Sequence, residues 1–135
     1  MKILICGLPG SSKTTLAEPF AKLIGAVHIN ADAVRTEYDD WDFTPSGRIR
    51  QSKRMYELSM TCGTDFALCD FVAPLTEMRN NYKADWTVWM DTIDAGRYED
   101  TNKMFVPPEV YDFRIIEQDA DKWSEFVVEH MVDNR

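Results

Sequence analysis

Near the start of the chain stand Gly7-Leu8-Pro9-Gly10-Ser11-Ser12-Lys13-Thr14, followed by a further hydroxyl, Thr15. Glycine lets a tight loop turn its backbone N–H groups inward, where they can surround an anion. A helix starting at the lysine would add the partial positive charge of its N-terminus. A lysine amine at this point reaches the outer phosphates of a nucleoside triphosphate, and the adjacent threonine hydroxyl suits Mg²⁺. The residues follow the phosphate-loop pattern G-x-x-x-x-G-K-[ST] at every fixed position but one, because Ser12 stands where the second glycine belongs. If the backbone there takes φ > 0, the serine Cβ costs about 1 kcal/mol. The expected ligands are ATP and Mg²⁺, with residues 7–15 on the nucleotide.

Such a loop works only if a strand delivers it and a helix carries it away. Residues 2–6 form an apolar run of strand length, and Leu16, Phe20, Leu23 and Ile24 recur at helical spacing until Gly25. Val27-His28-Ile29 reads as a second strand, and residues 31–38 as a short helix. Thr44-Pro45 offers an N-cap and first-turn proline for a helix over about 46–62, closed by Gly63. Residues 66–72 and 86–90 are further apolar strands, with a short helix over 75–82 between them. Gly96, Pro107 and Pro108 break residues 92–111 into a loop or partly helical flap, its lid portion about 94–108. Residues 112–116 make a fifth strand. Asp119 or Asp121 then caps a last helix, with Trp123, Phe126, Val127 and Met131 on one face. Alternating strands and helices imply an α/β, three-layer fold of the P-loop NTPase kind. Its five-stranded parallel sheet would lie within one domain spanning 1–135. Ligands on such sheets bind beyond the carboxyl ends of the strands, so the loops after the first four strands converge.

Asp32, just past the second strand, is placed to face Lys13 and accept the proton of an attacking hydroxyl. Arg35, one turn on, can hold an anionic acceptor. The plain alternative makes Asp32 an N-cap and Arg35 its solvated neighbour. Asp70 ends the third strand as a metal-holding carboxylate or a buried structural one. Arg48, Arg50, Lys53 and Arg54 crowd one stretch of helix, either focusing an anion or forming a solvated face. The pairs Trp86/Trp89 and Trp123/Phe126 read as core, whereas Phe105-Val106-Pro107-Pro108 could close over a base.

These residues, with Asp40-Trp41-Asp42-Phe43-Thr44, Gly47-Arg48, Val72-Ala73-Pro74 and Asp91-Thr92, resemble adenylylsulfate kinase in order over about residues 3–92. The resemblance implies ATP-dependent transfer to a hydroxyl of adenylyl sulfate or another nucleotide-like anion. It implies acceptor roles for Asp32, Arg35, Phe43, Arg48 and Gln51. The chain departs from the family at Ala31, Ala33, Gly47 and Gln51, and in a shortened lid where Arg97 and Lys103 are the available cations. Lys13, Asp32 and Arg97 are the expected catalytic residues, and Thr14 and Asp70 the expected metal holders.

The net charge of −8 argues against a general nucleic-acid partner, which needs surplus Lys and Arg. The acid concentrates in residues 99–135, with ten Asp/Glu against four Lys/Arg, so an anion-handling site belongs earlier in the chain. No apolar run approaches the ~20 residues needed to span a bilayer. The apolar start is too short for a signal peptide. Cys6, Cys62 and Cys69 lack metal-site spacing and read as reduced thiols of a cytoplasmic protein. Two other readings stand beside the small-molecule kinase. One is a 5′-hydroxyl polynucleotide or nucleoside kinase, which also carries D-x-x-R after strand two. The other is a nucleotide-binding regulator with weak catalysis.

Overall fold

The first strand decides the architecture, because Ile3, Leu4, Ile5 and Cys6 are all fully buried. A strand with no polar face must be covered on both sides and paired on both edges. The computed structural model, which describes residues 1–133, meets both demands. Its elements run β1 (Lys2–Cys6), α1 (Lys13–Ile24), β2 (Val27–Asn30), α2 (Ala31–Tyr38), α3 (Pro45–Thr61), β3 (Ala67–Asp70), α4 (Thr76–Tyr82), β4 (Trp86–Met90), α5 (Glu99–Met104), β5 (Phe113–Ile115) and α6 (Ala120–Asp133). The sheet order is β2-β3-β1-β4-β5, and every pairing is parallel. The α/β fold expected from the sequence, with five parallel strands between two helical layers, is the one observed.

Side chains of β1 alternate between two cores. Ile3 and Ile5 join Leu68, Val88 and Ile115 under Leu16 and Phe20 of α1 and Val127 and Met131 of α6. Leu4 and Cys6 face the other way with Cys69, against Met55 of α3 and Met78 and Tyr82 of α4. Burial pushes the thiols of Cys6 and Cys69 up to about 11, so both are protonated and unreactive. Phe126 departs from the expected apolar face of α6. It is 39% exposed and packs edge-on against Trp123, because the buried row follows Val127 and Met131.

Local chemistry sets the helix starts. Thr44 accepts the Gly47 N–H at 3.2 Å, with Pro45 in the first turn of α3. Asp119 accepts the Lys122 N–H at 3.3 Å and is the cap of α6. Asn30, rather than Asp32, caps α2, accepting the Ala33 N–H at 3.0 Å. Among the described residues no helix is long and apolar enough to cross a membrane.

Replacing Thr44 by Ala removes the α3 cap and its bond to Asp42. Denaturant unfolding should show a loss of about 1 kcal/mol.

Candidate active site

The loop between β1 and α1 lies at the carboxyl end of the central strand, where the topology leaves room for a ligand. Gly7 sits against the end of β4. A Cβ on it would come 2.6 Å from the Met90 carbonyl oxygen and 2.9 Å from the Ser11 hydroxyl. The turn therefore needs glycine for space as well as for its φ of 152°. The Ser11 N–H donates to the Leu8 carbonyl at 3.1 Å, and the Thr92 hydroxyl ties down the Ser11 carbonyl at 2.9 Å. Ser12 takes the left-handed conformation, φ 72° and ψ 32°, that the pattern assigns to glycine. Its Cβ strain is thus real, and α1 starts without a side-chain cap.

The Lys13 amine folds across the loop onto the Leu8 carbonyl at 3.0 Å. Burial lowers its pKa, and the nearby Asp70 carboxylate works against that shift. Asp70 is itself 2% exposed and wholly engaged. Its Oδ1 accepts from the Thr14 hydroxyl and the Asn30 amide, each at 3.1 Å. Its Oδ2 meets His28 Nε2. Among the described residues no group of three His, Cys, Asp or Glu side chains is placed to cage a metal.

A cleft of about 740 Å³ opens over this cluster, and Asp32 lines its far wall as an exposed carboxylate. Phe43 and Arg48 line it too. Arg48 is buried and donates to the Phe43 carbonyl at 2.9 Å and to the Thr101 hydroxyl at 2.8 Å. Arg35 lies behind Phe43 and outside the lining, donating to the carbonyls of Asp40 and Asp42. The Phe43 ring is flanked by both guanidiniums, 4.4 Å from Arg35 and 5.2 Å from Arg48. Burial lowers the pKa of each, and among the described residues neither pairs with a carboxylate. Gln51 also lies outside the cleft, bonding the Ala31 carbonyl and Arg54, so it fastens α3 to the start of α2. Arg50 and Arg54 are engaged by Asp40, and Arg50 also by Asp42, which offsets the positive stretch expected to attract a ligand.

The flap contributes Arg97, Tyr98, Asp100 and Thr101 to the cleft. Its backbone comes down on the β1–α1 loop at Gly96, where a Cβ would stand 2.8 Å from the Pro9 carbonyl oxygen. Phe105-Val106-Pro107-Pro108 runs elsewhere. The Val106 N–H donates to the Pro74 carbonyl at 2.7 Å, and none of the four residues lines the cleft. A side recess of about 170 Å³ shares Ser12 and Thr15 with the loop and reaches Gln118 and Trp123. The buried indole nitrogen of Trp123 has no hydrogen-bond partner among the described residues. Sequence reasoning passed over His28, Asn30, Trp41, Tyr98 and Thr101. Only the two-residue period from His28 to Asn30, toward the end of a strand, hinted that both share a face with Asp70.

No protein-family model matches the chain, and no curated protein matches it in sequence. Solved structures do. The APS kinase of Mycobacterium tuberculosis, in complex with AMPPNP and APS, superposes with a TM-score of 0.78 at 18% identity, over 95% of each chain. The chain has the fold of the P-loop kinases. The shikimate kinase of Acinetobacter baumannii, in complex with shikimate, gives 0.73 at 16% identity over 99% of this chain and 94% of that one. A gluconokinase from Sinorhizobium meliloti 1021 gives 0.67 at 14% identity over 98% and 96%. Within this P-loop kinase fold, the serine at position 12 is a measurable strain. Ser12→Gly should stabilise the protein by about 1 kcal/mol in thermal unfolding.

Proposed function

We propose that the protein is an ATP-dependent small-molecule kinase, transferring the γ-phosphoryl group to a hydroxyl of a small anionic acceptor. One observation carries this reading. The phosphate loop with Lys13, and an exposed carboxylate with a buried arginine that pairs with no carboxylate among the described residues, open on one cleft. The phosphate loop and α1 suit a triphosphate, with residues 7–15 around it. The side recess beside Ser12 and Thr15 suits its base. Thr14 and Asp70 offer a hydroxyl and a carboxylate oxygen 3.1 Å apart, the oxygen donors a phosphate-bound Mg²⁺ takes from protein. When bound there, Mg²⁺ neutralises charge on the phosphates.

In this mechanism Asp32 accepts the proton of the acceptor hydroxyl. The freed oxygen attacks the γ-phosphorus as its bond to ADP breaks, and ADP leaves with that electron pair. Lys13 moves from the Leu8 carbonyl to the phosphate oxygens, and Arg97 offers a second cation from the flap. Arg48 holds the acceptor's anionic group, with Arg35 adding field through Phe43. Most of the catalysis is placement and charge. Trp41, Phe43 and Tyr98 line the cleft as half-exposed aromatic rings, which favours adenylyl sulfate or another nucleotide-like anion over a bare sugar acid. The pairing of Arg50 and Arg54 with Asp40 leaves little basic surface for a polynucleotide. The free cysteines suit a reducing, cytoplasmic setting. A second reading, a nucleotide-binding regulator without turnover, is favoured by the strained Ser12 alone.

Transfer from γ-labelled ATP to adenylyl sulfate, nucleosides and 5′-hydroxyl oligonucleotides separates these readings. Lys13→Ala should cut kcat by about 10²-fold or more. Asp32→Asn should leave ADP affinity within about twofold while lowering kcat by about 10²–10⁴-fold. Near-normal turnover in Asp32→Asn removes it as the base, and ATP binding with no transfer to any acceptor supports the regulator.

A further inference from the structure

One side chain near the phosphate end has no part in the mechanism above. His28 sits on the edge strand β2, two residues before Asn30, whose register partner is Asp70. The period of a strand puts His28, Asn30 and Asp70 on one face, the face that α1 covers. His28 Nε2 reaches Asp70 Oδ2, Thr14 donates to Oδ1, and the Asn30 amide donates to Oδ1 at 3.1 Å and to Oδ2 at a long 3.4 Å. The Asp70 side chain is 3% exposed and that of His28 20%. A carboxylate can only accept, so the imidazole donates to Oδ2 from Nε2.

We infer that His28 is a positioning residue for Asp70. It holds Oδ2 so that Oδ1 stays presented beside the Thr14 hydroxyl, where Mg²⁺ would be held. The physical case is one of satisfaction. Without His28, Oδ2 keeps only the long 3.4 Å bond from the Asn30 amide, and a nearly buried carboxylate oxygen so weakly served draws in a further donor. Rotation about χ2 would take Oδ1 away from Thr14. One alternative cation is Lys13, whose amine already feels the Asp70 charge. Drawing Lys13 onto Asp70 would take it from the phosphates. Through one hydrogen bond His28 thus keeps the carboxylate and the lysine on separate tasks. It acts on the metal through Asp70 and touches no phosphate itself.

The inference rests on the magnesium reading given above, so its test measures binding rather than turnover. ADP affinity of the full chain is measured by calorimetry without metal and over a series of Mg²⁺ concentrations. Two polar variants differ chiefly in reach: His28→Gln places an amide nitrogen near the position of Nε2, and His28→Asn stops short of Oδ2. For His28→Asn, metal-free ADP affinity should stay within about twofold of the parent. The Mg²⁺ concentration for half-maximal tightening should rise roughly tenfold or more, the usual scale for a lost partner of a metal-holding group. His28→Gln should restore the parental Mg²⁺ response. A parental Mg²⁺ response in His28→Asn, or an equal loss in both variants, overturns the positioning role alone. A parent chain whose ADP affinity ignores Mg²⁺ overturns the magnesium reading and this inference with it.

Discussion

The Asp70 carboxylate is the point through which the site is assembled. It stands at the carboxyl end of β3, beside Asn30 at the end of β2, and takes hydrogen bonds from β2 and from the first turn of α1. A charged group at 2% exposure is tolerable only when its oxygens are satisfied, so these bonds constrain three elements together. Lys13 precedes Thr14 and inherits its placement from the same constraint. The parallel sheet makes this possible, because adjacent strands end at the same level and bring residues distant in sequence into one row.

The opposite wall of the cleft is organised by arginine. Arg35 and Arg48 approach the Phe43 ring within cation–π distance, and carbonyl oxygens of residues 40–43 take their hydrogens. The loop between α2 and α3 is thereby moulded around two arginines that pair with no carboxylate among the described residues. Gly47 belongs to the same arrangement, since a Cβ there would strike Asp42. Outside this wall the chemistry reverses, and Asp40 holds the half-exposed Arg50 and the more buried Arg54 in ion pairs. A strongly acidic protein thus keeps local positive charge where the cleft needs it.

The flap depends on both walls. Thr101 is anchored by Arg48, Gly96 packs on Pro9, and Asn102 closes the turn by bonding Gly96 in both directions at 2.8 Å. Arg97 and Tyr98 are carried by that turn and remain exposed over the cleft. The β1–α1 loop and Arg48 on the facing wall therefore both touch the segment that overhangs them. The flap is made of few residues, so its position is set by these attachments and by the Val106 N–H on the Pro74 carbonyl more than by a core of its own.

Local information in the sequence determined a good deal here. The apolar run of β1, the glycine-bearing loop and the amphipathic α1 follow one another in an order set by backbone sterics and hydrophobic period. That order alone implies a parallel sheet with a loop at its carboxyl end. Caps at Thr44 and Asp119 are equally local, since each joins a side chain to a backbone N–H three residues on. Only the tertiary structure decided which neighbour each polar group meets. It gave the α2 cap to Asn30, turned Gln51 and Arg35 to fastening duties, paired Arg50 and Arg54 with Asp40, and routed Phe105 away from the cleft. The reason is physical. Period and propensity act over one or two turns of chain. The partners of a buried charge are whatever the folded sheet brings within 3 Å, and His28 meets Asp70 across 42 residues of sequence.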